Sequence, residues 1–259
     1  MFVKTLKPFV FLFVLMTVVS LACLGGGETP APATEAPAQP AEPAQPAQPA
    51  QPAEPTPTEE PPAPVAQEFF TEEFEGDTSN WTYFTITGSS EANESGLSLE
   101  TEGGYMVFDV SSKYLYTYVT YDPYEYRDVA VETFVENRGT NNNNISLFCR
   151  YSDEGWYEFN IANNGLYNIL AATYNAAGDV VYNKMADGGS NKIKSGKDVN
   201  TYKIICKERT LTLYINGFET RVHTDNQYVL RDGKVGISVS SFNDLPVKVE
   251  VDWITISQP

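Results

Sequence analysis

The sequence predicts an all-β domain, a sandwich or barrel, carried behind an export leader and a long linker. Three observations support this. All 16 Tyr, all three Trp and ten of the 14 Phe lie after Gln67, so the apolar material for a core is concentrated there. Within that stretch, apolar and polar residues alternate with period two, which places one set on the inner face of a strand. Thirteen of the 17 Pro lie between Pro30 and Pro64, a segment that cannot share in the same globule.

The leader comes first. Lys4 and Lys7 precede an apolar run from Phe9 to Ala22. At about 1.5 Å per residue this run is shorter than a bilayer core of ~30 Å, as in a secretory signal peptide. It ends Val19-Ser20-Leu21-Ala22-Cys23, which resembles the bacterial lipobox. The resemblance implies cleavage after residue 22, lipid on Cys23 and attachment to the outer face of the bacterial membrane, where several acyl chains together hold firmly.

Residues 23–67 read as a disordered Ala/Pro/Gln/Glu-rich linker. From Leu24 to Gln67 there is no Lys, Arg or aromatic residue, and Pro37, Pro40, Pro43, Pro46, Pro49, Pro52 and Pro55 recur at every third position. Polyproline II has three residues per turn, so these prolines would share one face of a spacer with a reach on the order of 100 Å.

Residues 68–259 are long enough to bury a single core. Ile145, Leu147, Cys149 and Tyr151 alternate with Ser146, Phe148 and Arg150. Tyr157, Phe159 and Ile161 alternate with Trp156, Glu158 and Asn160. Near the end, Val247, Val249, Val251 and Trp253 alternate with Lys248, Glu250 and Asp252. The first residues named in each group are expected in the core. Thr210–Ile215, Asn216-Gly217 and Phe218–Val222 form a hairpin, because Asn-Gly suits a type I′ turn with two positive φ angles. Asp153-Glu154-Gly155 reads as a three-residue loop that sets Arg150 opposite Glu158 and Cys149 opposite Phe159. Asn163-Asn164-Gly165 sets Asn160 opposite Asn168 and Phe159 opposite Ile169. A three-stranded meander over about 144–174 follows.

Several segments carry a family resemblance. These are Phe74-x-x-Asp77 with Trp81, Cys149-Arg150-Tyr151, Gly155-Trp156-Tyr157-Glu158-Phe159, Gly165-Leu166-Tyr167, Leu211 to Gly217, Gly233-Lys234-Val235-Gly236 and Val251-Asp252-Trp253-Ile254. Together they resemble the concanavalin A-like lectin/glucanase domains, particularly the laminin G-like and family 16 glycosidase-like ones. The resemblance implies a jelly roll of two antiparallel sheets, one concave, with sugars on the concave side or its rim. It also implies a structural calcium ion on the convex side near the chain ends, where Glu73, Asp77 and Asp252 are the carboxylates.

The chemistry of that family's enzymes is largely missing. A retaining glycosidase needs two carboxyls roughly 5–5.5 Å apart, which family 16 enzymes supply as Glu-x-Asp-x-x-Glu. The nearest segment here, Glu250 to Thr255, ends in Thr, and Glu125 to Glu132 has the wrong spacing. The one His, His223, lies on the second strand of the Asn-Gly hairpin and reads as a solvated strand residue, not a catalytic base. A formal net charge of -17 without a basic cluster opposes nucleic-acid binding. With Cys23 lipidated, Cys149 and Cys206 remain, both on apolar parity. In an oxidising compartment they form a disulfide or stand as two buried thiols.

The leading expectation is therefore a non-catalytic surface lipoprotein whose domain binds glycan or another extracellular polymer. The alternatives are a glycoside hydrolase-like enzyme and a structural or protein-interaction module. The expected binding face joins Arg150, Glu158, Asn160 and Asn168 to Trp156, pairing planar hydrogen-bonding groups with an aromatic platform. A second candidate is the tyrosine series Tyr114, Tyr116, Tyr118, Tyr121, Tyr124 and Tyr126. No catalytic residue and no cofactor beyond calcium is expected, and the sequence does not set an oligomeric state.

Overall fold

The computed structural model describes residues 66–259. The leader, Cys23 and nearly all of the linker lie outside the described residues. The fifteen strands are β1 (Phe70–Glu72), β2 (Trp81–Thr87), β3 (Leu97–Glu102), β4 (Tyr105–Val110), β5 (Leu115–Tyr126), β6 (Val129–Asn137), β7 (Asn143–Ser152), β8 (Gly155–Ala162), β9 (Leu166–Tyr174), β10 (Val180–Gly189), β11 (Val199–Lys207), β12 (Thr210–Ile215), β13 (Phe218–Thr224), β14 (Gly233–Ser241) and β15 (Val247–Ser257). They form two antiparallel sheets. One runs β13-β12-β11-β6-β15-β4-β3, with β1 also paired to β15; the other runs β10-β9-β8-β7-β14-β5-β2. The expected two-sheet sandwich is present.

Alternation accounts for the core between the sheets. Leu147, Phe159, Ile169 and Ile237 from the seven-stranded sheet meet Phe108, Val131, Ile204 and Val249 from the eight-stranded one, all fully buried. Each such side chain contributes roughly 1.5–3 kcal/mol relative to exposure. Cys149 on β7 and Cys206 on β11 are bonded across the layers, with Cα atoms 6.7 Å apart.

The Asn-Gly hairpin closes with Ile215 opposite Phe218, and Asn216 and Gly217 have φ of 51° and 79°. The meander is also present, and Asn160 faces Asn168 as expected. The turn between β7 and β8 differs from expectation. Cys149 pairs with Tyr157 and Phe148 with Glu158, while Ser152 pairs with Gly155. The connection is thus two residues, Asp153-Glu154, preceded by a bulge at Arg150 and Tyr151. The bulge restores the parity that a two-residue turn would otherwise break. Gly155 is needed for a close approach, since a Cβ there would stand 2.1 Å from the Ala172 carbonyl oxygen.

The segment joining β13 to β14 is fixed by Asp225, which is buried. Its carboxylate accepts from the Tyr157 hydroxyl at 2.6 Å and from the backbone N–H groups of Gln227, Tyr228 and Val229. Burial alone would raise the Asp225 pKa. The four donors outweigh it and hold the pKa below the ordinary value of 3.8. A depressed folded-state pKa stabilises above the unfolded value, and that stability is lost as pH falls through the folded one. Asp225→Asn should therefore lower stability at neutral pH by about 1.5–3 kcal/mol. Urea midpoints should show the gap narrowing below about pH 4; a gap unchanged at low pH would contradict this account.

Candidate functional site

The outward face of the seven-stranded sheet carries a second cluster of buried side chains. Tyr118, Phe148, Trp156 and Ala172 form its centre, with Phe84, Ile86, Tyr116, Tyr151, Val180 and Tyr182 packed around them. Strand pairing explains the assembly. Phe84 faces Tyr118 across β2 and β5, Phe148 faces Glu158 across β7 and β8, and Ala172 stands between Trp156 and Tyr182. Ser146 and Ser238, paired with each other between these strands, are small enough to let the longer rings lie over them. Phe84 stacks on Tyr118 with centroids 4.9 Å apart and on Tyr151 at 5.0 Å. Trp156 meets Tyr118, Tyr151, Tyr174 and Tyr182 at 5.4–6.3 Å.

Glu158 lies at the centre of this cluster and is only 1% exposed. Its Oε2 accepts from the Tyr118 hydroxyl at 2.8 Å and from Trp156 Nε1 at 3.1 Å. Its Oε1 accepts from Ser146 Oγ at 2.9 Å and from Asn160 Nδ2 at 3.3 Å. All four donors are neutral. A buried carboxylate is expensive unless it is fully hydrogen-bonded, and here both oxygens are doubly supplied. The Tyr118 oxygen is also 2.8 Å from the Tyr182 hydroxyl. Tyr118 has one proton to give and Glu158 takes it, so Tyr182 donates to Tyr118. Burial first, and the Glu158 charge second, raise the pKa of the Tyr118 and Tyr182 phenols well above the usual tyrosine value. Tyr174 is pushed up to about 12 by burial, then by Tyr151. These phenols are therefore protonated donors at any physiological pH.

A more accessible polar group adjoins the rings. Asp122 takes Lys234 Nζ at 2.8 Å, Thr82 Oγ1 at 2.6 Å and Thr120 Oγ1 at 3.0 Å. Burial opposes ionisation of Asp122, but Lys234 and the two hydroxyls prevail and hold its pKa below the usual value.

The structure brings together Trp156, Glu158 and Asn160 from the expected set, with Asn168 paired beside Asn160. Trp156 is fully buried under other rings, so it is a packing centre and not the open platform expected. Arg150 is not on this face. It occupies the bulge with φ of 58°, and its guanidinium is buried on the other side, donating to the carbonyls of Arg127 and Leu230 and lying 5.8 Å above the Tyr157 ring. Burial lowers the Arg150 pKa. Of the tyrosine series, Tyr116 and Tyr118 belong to the site, while Tyr121 and Tyr126 pack into the inter-sheet core. Tyr151, Tyr174, Tyr182 and Ser146 were missed as site residues. They come from three separate strands, and only pairing unites them.

Glu73 and Asp77 are exposed and Asp252 is partly buried; among the described residues no three His, Cys, Asp or Glu side chains gather in a metal-binding arrangement. Glu250 and Asp252 lie on β15 of the other sheet, where Glu250 accepts from Arg138 Nε at 2.9 Å. Two surface depressions, of about 330 and about 220 Å³, lie away from Glu158, one beside Glu132 and Lys203 and the other beside Tyr83 and Leu99. The face around Glu158 is covered by its own rings, Tyr118, Trp156 and Tyr182 among them.

The sandwich is similar to those of known proteins. No curated protein matches the sequence. Among solved structures the fold is similar to a family 16 glycoside hydrolase of the Bacteroides ovatus mixed-linkage glucan locus, with TM-score 0.53 and 12% identity over 73% of this chain and 99% of that one. It is similar to the Bacillus licheniformis beta-glucanase, with TM-score 0.54 and 14% identity over 75% and 100% of the two chains. It is likewise similar to a Bacillus subtilis protein of unknown function with a galectin-like fold, with TM-score 0.54 and 11% identity over 73% and 94%. The domain is thus a concanavalin A-like sandwich. The model of the 3-keto-alpha-glucoside-1,2-lyase-like domain matches residues 70–253, and the chain belongs to that family.

Proposed function

We propose that this domain recognises carbohydrate on the outward face of the seven-stranded sheet. The observation that carries the reading is Glu158, a carboxylate buried by four neutral donors beneath tyrosines, on a face that no other described strand covers. A sheet face that serves only as an exterior gains nothing from a buried carboxylate. Here the carboxylate fixes the positions of Tyr118, Tyr182 and Trp156; Tyr182 in turn packs on Tyr116, and Trp156 on Tyr151 and Tyr174. Asp122 and Lys234 supply hydrogen-bonding groups beside Tyr151, and Asn168 adds another next to Asn160, the combination of rings and polar groups that sugars require. The solved glucanases of the same fold and the glucoside in the family description support this ligand class.

The test is calorimetry of the full chain against mixed-linkage glucan oligosaccharides and a 3-keto-glucoside. Tyr174→Ala and Lys234→Ala, both at the margin of the cluster, should weaken binding about tenfold while leaving the melting temperature nearly unchanged. Binding indifferent to both variants, or no binding to either ligand, would remove the site.

A second reading, lyase action on a 3-keto-glucoside, is favoured by one observation: the hydroxyl chain from Tyr182 through Tyr118 to Glu158 provides a route for a proton between a buried carboxylate and a half-buried phenol. Turnover abolished by Tyr182→Phe would support it, and binding without turnover would leave recognition alone. We further propose that Cys23 carries lipid and that residues 24–67 space the domain from the outer face of the membrane. Mass spectrometry of the mature chain should find acyl groups on an N-terminal Cys23.

A further inference from the structure

Trp253 is unexplained by the site above. Along β15, Val247, Val249 and Val251 are buried between the sheets, and strict alternation would send Trp253 after them. Instead the pairing with β6 slips between Val251 and Trp253. Ile254 and Ile256 take the core positions, and Trp253 turns to the outer face of the eight-stranded sheet, half-buried. An extra residue in one strand re-aims the side chains beyond it, and such bulges are frequent beside functional sites. The indole pairs with Phe134, with centroids 6.4 Å apart and planes inclined by 29°. Phe134 faces Thr201 across β6 and β11. Two residues along the same face, Glu132 faces Lys203, which faces Tyr214. Glu132, Thr201, Lys203 and Tyr214 wall the depression of about 330 Å³, a volume within the range of small-ligand sites. Glu132 and Lys203 are paired at 3.4 Å and each is about a third exposed, so the wall offers donors and acceptors without net charge.

We propose that this outer face of the eight-stranded sheet is a second carbohydrate site, with Trp253 and Phe134 as the stacking shelf and Glu132, Lys203, Thr201 and Tyr214 as the hydrogen-bonding wall for a neutral saccharide. The ligand class follows from the combination. Two apolar rings match the C–H face of a pyranose, adjacent polar side chains match its hydroxyls, and a neutralised ion pair gives an anionic ligand no advantage. The site lies on the other sheet from Glu158 and does not depend on it.

The test uses the full chain with cellotetraose, laminaritetraose and maltotetraose at millimolar concentration. Trp81 is buried and Trp156 lies beneath the rings of the other face, so only an emission change that is lost in Trp253→Ala and kept in Tyr174→Ala reports this site. At least one of the three sugars should change the emission of the wild-type chain. By calorimetry, Trp253→Ala should abolish that binding, and Lys203→Ala, which leaves the shelf intact, should weaken it about tenfold, as for one good hydrogen bond. Tyr174→Ala should leave it unchanged, which separates this site from the one on the opposite sheet. Three outcomes would overturn the proposal: no emission change with any sugar, binding that survives both Trp253→Ala and Lys203→Ala, or a dimer in sedimentation that Trp253→Ala converts to monomer.

Discussion

Glu158→Ala should destabilise the domain by about 3 kcal/mol or more, because it leaves the buried Trp156 Nε1 and Ser146 Oγ donors without an acceptor and opens a cavity among the rings. The Tyr118 hydroxyl, Trp156 Nε1, Ser146 Oγ and Asn160 Nδ2 all converge on the carboxylate. With the acceptor removed, Tyr118 can turn its proton to Tyr182 and Asn160 keeps Ser146. Trp156 Nε1 has no such alternative within the cluster. Glu158→Gln retains one oxygen but places an amide where two donors point, so it should fall between Ala and wild type. Tyr118→Phe removes one donor of four and should cost least, about 1 kcal/mol. Urea unfolding of the three variants would check the ordering. Equal losses in all three would mean that ring packing, and not the carboxylate, holds the cluster. The functional readout separates the roles further. If Glu158 acts by fixing Tyr118 and Tyr182, then Glu158→Gln should impair carbohydrate binding at temperatures well below its melting point, while Asp225→Asn, remote from the face, should not.

The fold was legible in the sequence wherever structure is local. Asn216-Gly217 announces its turn because both residues need positive φ and few others accept it. The Asn163-Asn164-Gly165 turn set the β8/β9 register correctly, since an unbroken alternation ran through both strands. Both failures of parity came from bulges. At Arg150 and Tyr151, and again at Asp252 and Trp253, one additional residue inverts the faces of everything beyond it. Arg150 adopts a left-handed φ that nothing in its side chain favours, so no compositional cue marks the position. In retrospect a cue was present in the large apolar residues on the wrong parity, Phe148 and Trp156, which signalled a second buried layer on the outward face. Half of the candidate site was legible for the same reason. Trp156, Glu158 and Asn160 share a strand and therefore a face, whereas Tyr118 reaches Glu158 across 40 residues of sequence. Contacts of that kind are set by strand order, which period two does not encode.

Removing the Cys149–Cys206 bond should have the largest effect on stability of any change away from Glu158. The bond joins β7 of one sheet to β11 of the other, and both cysteines are fully buried in the inter-sheet core. Its sequence separation is 57 residues, for which the chain-entropy argument gives about 4 kcal/mol of destabilisation when the loop is released in the unfolded chain. The side chains also pack. Cys149 sits opposite Tyr157 and Cys206 opposite Leu211, so a double substitution to Ala adds a small cavity term to the entropic one. The two contributions can be separated. A double Cys→Ala variant loses both, whereas the natural chain unfolded and refolded under reducing conditions keeps the sulfurs and loses only the link. Reduced protein should therefore lie about 4 kcal/mol below the oxidised form, with the variant somewhat lower. The denaturant dependence should be steeper for both, because an uncrosslinked unfolded chain exposes more surface. An unchanged slope together with a small loss would place the stabilisation in native packing and not in the link. That result would also lower the weight of an oxidising compartment in the case for export, since an inert thiol pair would serve the core equally well.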